Sequence, residues 1–287
     1  MSEEPQKIVA LVDGSAYSAS VCDHAAWLSG RTGAPVELIH VLGRREAPER
    51  PDLSGAIALG ARTALLEELA ELDARRAKLA GQRGRAILED ARAILDKAGV
   101  AQITTRLRHG DLIEALAEVE ADARMIMIGK RGEAADFAMG HLGSNLERVL
   151  RASHRPVFVA SRAFRPISRM LVAWDGGASA VKAVDHIARS PLFQGLETHV
   201  VTVGSATPEA LEGLAHAKAS LQAAGIMAET AVLPGQPETA LGKLVDEAAF
   251  DMLVMGAYGH SRIRSLIIGS TTTAMIRSCK VPVVLMR

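Results

Sequence analysis

Short runs of uninterrupted apolar residues, separated by longer stretches of helical periodicity, organise this chain. Ile8-Val9-Ala10-Leu11-Val12 runs into Asp13-Gly14-Ser15, and Met170-Leu171-Val172-Ala173-Trp174 runs into Asp175-Gly176-Gly177. Continuous apolarity is what a strand covered on both faces requires, so each reads as a central strand of a parallel sheet. The two are one unit repeated at an offset of 162, which also relates the run ending at Val41 to the run ending at Val203. Further on, the offset falls to 125 to 127. Gly110 answers to Gly235, Met127-Ile128-Gly129 to Val254-Met255-Gly256, and Arg155-Pro156-Val157-Phe158-Val159 to Val281-Pro282-Val283-Val284-Leu285. The first copy therefore carries about 37 extra residues between its second and third strands.

That extra stretch, about 43–80, opens with the charged segment Arg44-Arg45-Glu46-Ala47-Pro48-Glu49-Arg50-Pro51, read as an exposed loop. From 61 to 97 the chain is rich in Ala, Leu, Glu and Arg, with apolar positions such as Leu65, Leu69, Leu72, Leu79, Ile87 and Ile94. This predicts one long helix or a helical pair, broken at Gly81 and Gly84. Other helical stretches cover 112–121, which Asp111 can cap, 208–224, and 238–248, for which Pro237 suits the opening turn. Five strands alternating with four helices in each copy describe an α/β fold of two tandem, doubly wound, five-stranded parallel sheets of Rossmann-like type. In such sheets the ligand crevice lies at the carboxyl ends of the central strands. The expected domains are 1–163 and 168–287. The linker, 161–168 with Pro166 in it, is short enough to make the copies pack together.

Composition narrows the classes. The 287 residues hold 33 basic and 33 acidic side chains, so no overall field favours nucleic acid or an anionic membrane. No apolar run is long enough for a bilayer and the N-terminus lacks a leader pattern, which points to the cytoplasm. Cys22 and Cys279 sit in different copies without a CxxC partner and read as small buried hydrophobes.

The candidate chemistry follows the fourth strand of each copy. In the second, Met255-Gly256-Ala257-Tyr258-Gly259 is followed by nine residues and then Gly269-Ser270-Thr271-Thr272, opening a helix. Glycines let a backbone approach a ligand, and a helix N-terminus favours an anion. The charges between the glycines, His260, Arg262 and Arg264, are all basic or titratable to basic, so a phosphate is welcome there. In the first copy Gly129-Lys130-Arg131-Gly132 is followed by ten residues before Gly143-Ser144-Asn145, and that loop contains Glu133 and Asp136. A carboxylate near phosphates repels them. Each residue also has an ordinary role: the glycines as turns, Ser144 and Ser270 as N-caps, Asp13 and Asp175 as caps of the helices that follow.

The GxxG, nine-residue, G(S/T) spacing, the aspartate after the first strand and the turn Gly235-Gln236-Pro237 resemble the universal stress protein family, in its tandem form, over residues 7 to 287. The resemblance implies ATP, or ADP or AMP, as ligand, with Mg2+ able to accompany it. It implies that Asp175 meets the adenine, that Val203 lies against the adenosine, and that Met255, Gly256, Ala257, Gly259, Gly269, Ser270, Thr271 and Thr272 hold the phosphates. In the first copy the matching residues are Asp13, Val41, Ile128, Gly129, Lys130, Gly132, Gly143, Ser144 and Asn145. It also makes the final strands, 156–160 and 282–286, edges for pairing the two halves, and a homodimer a further expectation.

No GxxxxGK(S/T), GxGxxG or GxSxG sequence occurs, which argues against a P-loop NTPase, a dinucleotide dehydrogenase and a serine hydrolase. No metal set is formed by His109, His141 and His260, and no catalytic residue is assigned. A binding and signalling module with little or no hydrolysis is thus the leading reading. A nucleotide-independent interaction protein and a slow ATPase are the alternatives.

Overall fold

The computed structural model describes residues 6–43, 59–132, 143–257 and 269–287, without side chains for 59–64. The first copy comprises β1 (Lys7–Leu11), α1 (Ser18–Thr32), β2 (Val36–Leu42), α2 (Leu59–Lys97), β3 (Ile103–His109), α3 (Leu112–Ala117), β4 (Ala123–Gly129), α4 (Ser144–Ala152) and β5 (Val157–Ala160). The second repeats the order as β6 (Arg169–Ala173), α5 (Ala178–Arg189), β7 (Glu197–Val203), α6 (Pro208–Ala223), β8 (Ala228–Leu233), α7 (Pro237–Glu247), β9 (Met252–Gly256), α8 (Ser270–Ser278) and β10 (Val283–Met286). Asp111 caps α3, accepting from the amides of Ile113 at 2.8 Å and Glu114 at 3.4 Å, and Pro237 opens α7.

The strands form one ten-stranded sheet in the order β3-β2-β1-β4-β5-β10-β9-β6-β7-β8. Pairing is parallel within each copy and antiparallel only where β5 meets β10, with Val159 opposite Val283, Phe158 opposite Val284 and Val157 opposite Leu285. The expected edge strands therefore close on each other and remove two exposed edges. Because side chains alternate across a strand, the sheet feeds two cores. One lies beneath α1, α2, α5 and α6, and the other beneath α3, α4, α7 and α8; each runs through both copies. Arg31 of α1 adds to the joint by donating to the carbonyls of Leu192, at 2.6 Å, and Gln194.

Of the two forms expected for 61–97, one long helix is the one observed, and the break expected at Gly81 and Gly84 is corrected, since the helix runs through both. A Cβ on Gly84 would come within 2.7 Å of Leu107 Cδ1 and 3.0 Å of His40 Cδ2, so this glycine lets α2 settle closely on β2 and β3. The charged segment 44–51 lies outside the described residues.

Beneath α1, His24 is fully buried against Phe158 and Phe164, with ring centroids at 5.1 and 5.0 Å, and its Nε2 has no hydrogen-bond partner among the described residues. Burial pushes its pKa from 6.5 down to about 4. Between those values the unfolded chain takes up a proton that the folded chain refuses, so stability is expected to fall as the pH drops through that window. His24→Phe should flatten that part of a plot of urea midpoint against pH.

Candidate functional site

In each half the order of strands reverses at one place, between β1 and β4 and between β6 and β9, and the crevice outside their carboxyl ends is where such sheets take ligands. The second copy's aspartate turn stands at that mouth. Asp175 is exposed, and its Oδ1 accepts the Gly177 amide at 2.9 Å. Gly176 has φ of +73°, and nothing lies within 4 Å of where its Cβ would be. The N-cap of α5 is Gly177, so Asp175 braces the turn without capping the helix. Val203 ends β7 half-buried beside Leu233.

Across the mouth, Gly256 ends β9 so close to α5 that a Cβ there would sit 2.8 Å from Ser179 Cβ. The helix α8 begins at Gly269, an N-cap with no side chain to offer, and no acidic residue occurs in its first turn. The first amides of a helix have no carbonyl partner within it, and those of Ser270 and Thr271 therefore present donors and a positive dipole end at this rim. Thr272 has a different job. It is buried, and its hydroxyl donates to the carbonyls of Gly256 at 3.2 Å and Ala257 at 3.4 Å, while the Gly269 amide reaches Ala257 O at 3.3 Å. These bonds pin the two ends of the glycine loop together and engage the Thr272 hydroxyl within the turn. Met255 and Ala257 likewise turn their side chains into the core, leaving main-chain groups to face the mouth. Tyr258, Gly259, His260, Arg262 and Arg264 lie outside the described residues.

The first copy brings its counterparts together more tightly. Asp13 Oδ1 accepts from the Ser15 amide at 3.0 Å and the Ser18 hydroxyl at 3.2 Å. A Cβ on Gly132 would lie 2.8 Å from Asp13 Oδ2, so the carboxylate and the glycine turn touch. A ligand reaching both must lie over them rather than between them. Ile87 of α2 covers Gly14, with its Cδ1 2.8 Å from the glycine's Cβ position, where the matching Gly176 is open. Gly143 caps α4 as Gly269 caps α8, Ser144 and Asn145 being exposed after it, but Glu147 sits in the first turn of α4 and opposes an anion. Val41 is half-buried at the end of its strand, Ile128 is packed in the core, and a Cβ on Gly129 would meet Tyr17 Cβ at 2.6 Å.

Lys130 departs from its expected place. Its ammonium is buried and donates to the Cys279 carbonyl of the other copy, and that burial holds its pKa below the usual lysine value. It lines a cleft of about 740 Å³ between the copies together with Arg131, Arg162, Arg277 and Lys280, against Glu238. Sequence reasoning did not find Arg162, Arg277 or Lys280 here. They converge only because β10 runs antiparallel to β5, which carries the end of α8 to the first copy's mouth. His109 ends β3 exposed, whereas His141, Glu133 and Asp136 lie outside the described residues.

The universal stress protein family model matches residues 4–161 and again 166–287. The universal stress protein Slr1230 of Synechocystis sp. is 37% identical over 286 residues, spanning 98% of this chain and all of the relative. The universal stress protein Rv1996 of Mycobacterium tuberculosis is 26% identical over 65% of this chain and 66% of its own. Among solved structures, a universal stress protein from Archaeoglobus fulgidus superposes with a TM-score of 0.73 at 20% identity, covering 99% of both chains, which is a likeness of fold.

Proposed function

Since the chain belongs to the universal stress protein family, we propose that its second copy binds an adenine nucleotide, ATP foremost, and that the protein works as a nucleotide-dependent stress or signalling module. The observation that carries this reading is the second mouth itself. The α8 N-terminus is capped by Gly269 with no acid in its first turn, its loop ends are pinned by Thr272, and it faces the open turn at Asp175. In this reading the phosphates take the first-turn amides of α8, while Asp175 and Val203 meet the adenosine. Mg2+ accompanies the nucleotide as its counter-ion, and hydrolysis is slow or absent. The protein acts in the cytoplasm; among the described residues no helix is long and apolar enough to cross a membrane. The working domains are 1–163 and 168–287.

The closed contact of Gly132 with Asp13, Ile87 over Gly14, and Glu147 at α4 together favour the first copy as scaffold. Asp175→Ala tests the adenine end. Since the side chain is exposed, the fold should persist and ATP affinity should fall about tenfold, the effect of one or two lost hydrogen bonds. Unchanged affinity by calorimetry would remove Asp175 from the site. Turnover under saturating ATP that vanishes in Gly269→Val would instead support the slow ATPase.

A further inference from the structure

The insertion helix α2 runs for 39 residues, about 58 Å at 1.5 Å per residue, far beyond the strands it covers. Only its second part is anchored. Gly81, Gly84, Leu88, Ala91 and Leu95 are buried, but no residue from 65 to 80 is. Three of the six large apolar side chains most exposed among the described residues sit on that first part: Leu65 at 43%, Leu72 at 46% and Leu79 at 64%. Their spacing of seven residues puts them on one line of the helix, drifting only about 20° per step. A helical segment that buries nothing is marginal alone, so a partner along this line would stabilise it.

The charge pattern says what that partner is. Glu67, Glu68, Glu71 and Asp73 form an acidic block without a base, and Arg75, Arg76, Lys78, Arg83 and Arg85 form a basic block without an acid. Laid parallel and in register, two such helices set acid against acid and base against base. Laid antiparallel about Leu72, they set Glu68 against Arg76 on both sides of the axis, while Glu71 meets Asp73 nearer to it and the remaining charges face Ala or Leu. The leucines obey the same two-fold: Leu72 faces itself, Leu65 faces Leu79 of the second copy, and Glu68 faces Arg76 of the second copy. A C2 contact demands this kind of self-complementarity.

We infer that α2 pairs two copies of this chain antiparallel about Leu72, through the line Leu65, Leu72 and Leu79 with Glu68 opposite Arg76. The seam between β5 and β10 is already used within one chain, so this interface is separate from it and does not depend on nucleotide. A contact this short belongs to the weak class of specific interfaces, with dissociation in roughly the micromolar range.

Sedimentation velocity of the full chain over a concentration series tests it. Wild type should show a reversible monomer–dimer equilibrium, and Leu72→Lys, which sets two ammonium groups against each other on an exposed surface, should remain monomeric. Glu68→Arg and Arg76→Glu should each dimerise at least about tenfold more weakly, through like charges. A one-to-one mixture of the two should recover the dimer, because each supplies the charge that the other now needs. A wild type that stays monomeric, a dimer untouched by Leu72→Lys, or a mixture no better than its components would each overturn the inference.

Discussion

Replacing Gly269 with valine is expected to weaken ATP binding by at least about 100-fold while leaving the protein folded. The glycine has φ of −57°, a conformation open to any residue, and its Cβ position stands 3.4 Å from Thr272 Oγ1 and 3.8 Å from Ala257 O. The first carbon therefore fits, and it is the branched methyl groups that intrude on the rim where a phosphate must meet the first-turn amides. Hydrogen bonds to a charged group contribute about 1.5–3 kcal/mol each, so the loss of two accounts for a factor of 100 or more. Equilibrium binding of ATP, with thermal unfolding followed beside it, checks both halves of the expectation. Wild-type affinity in this variant would show that the phosphates lie elsewhere.

The second large effect is one of stability. Phe158→Ala is expected to cost about 3–5 kcal/mol, the range for deleting a buried aromatic side chain. Phe158 is fully buried in β5, pairs with Val284 of β10, and holds the His24 ring at 5.1 Å. The cavity would open at the seam itself, where the β5–β10 pair and the core beneath it help join the two copies. Urea unfolding should register the loss in one shared transition, because each core runs through both copies. A cost under about 1 kcal/mol would mean that the seam contributes little to the joint.

Much of this architecture was legible because the physics behind it is local. Runs such as Ile8 to Val12 are continuously apolar because both faces of the sheet are covered, and Asp111 and Pro237 sit where a helix must begin. That the last strands pair the two halves was implied by the family resemblance and not by a local signal. What escaped depends on residues distant in the chain. Gly84 looks like a breaker until Leu107 and His40 come up against it, and Lys130 looks like a phosphate ligand until the Cys279 carbonyl arrives from the other copy. Thr272 carries a suitable hydroxyl for a nucleotide, yet the turn of α8 directs it back to Gly256 and Ala257. The basic cleft lined by Arg131, Arg162 and Arg277 has no linear motif, because the antiparallel seam assembles it.

The two mouths differ in features that act on the same ligand. Gly176 is open where Gly14 is covered, and the first turn of α8 lacks the acid that Glu147 supplies in α4. Calorimetric titration of the full chain with ATP, after extraction to remove any nucleotide that co-purifies, reads that difference directly. A stoichiometry near one is expected, with the binding lost in Gly269→Val. Absence of binding together with absence of extracted nucleotide would contradict it and favour a protein that acts through partners alone.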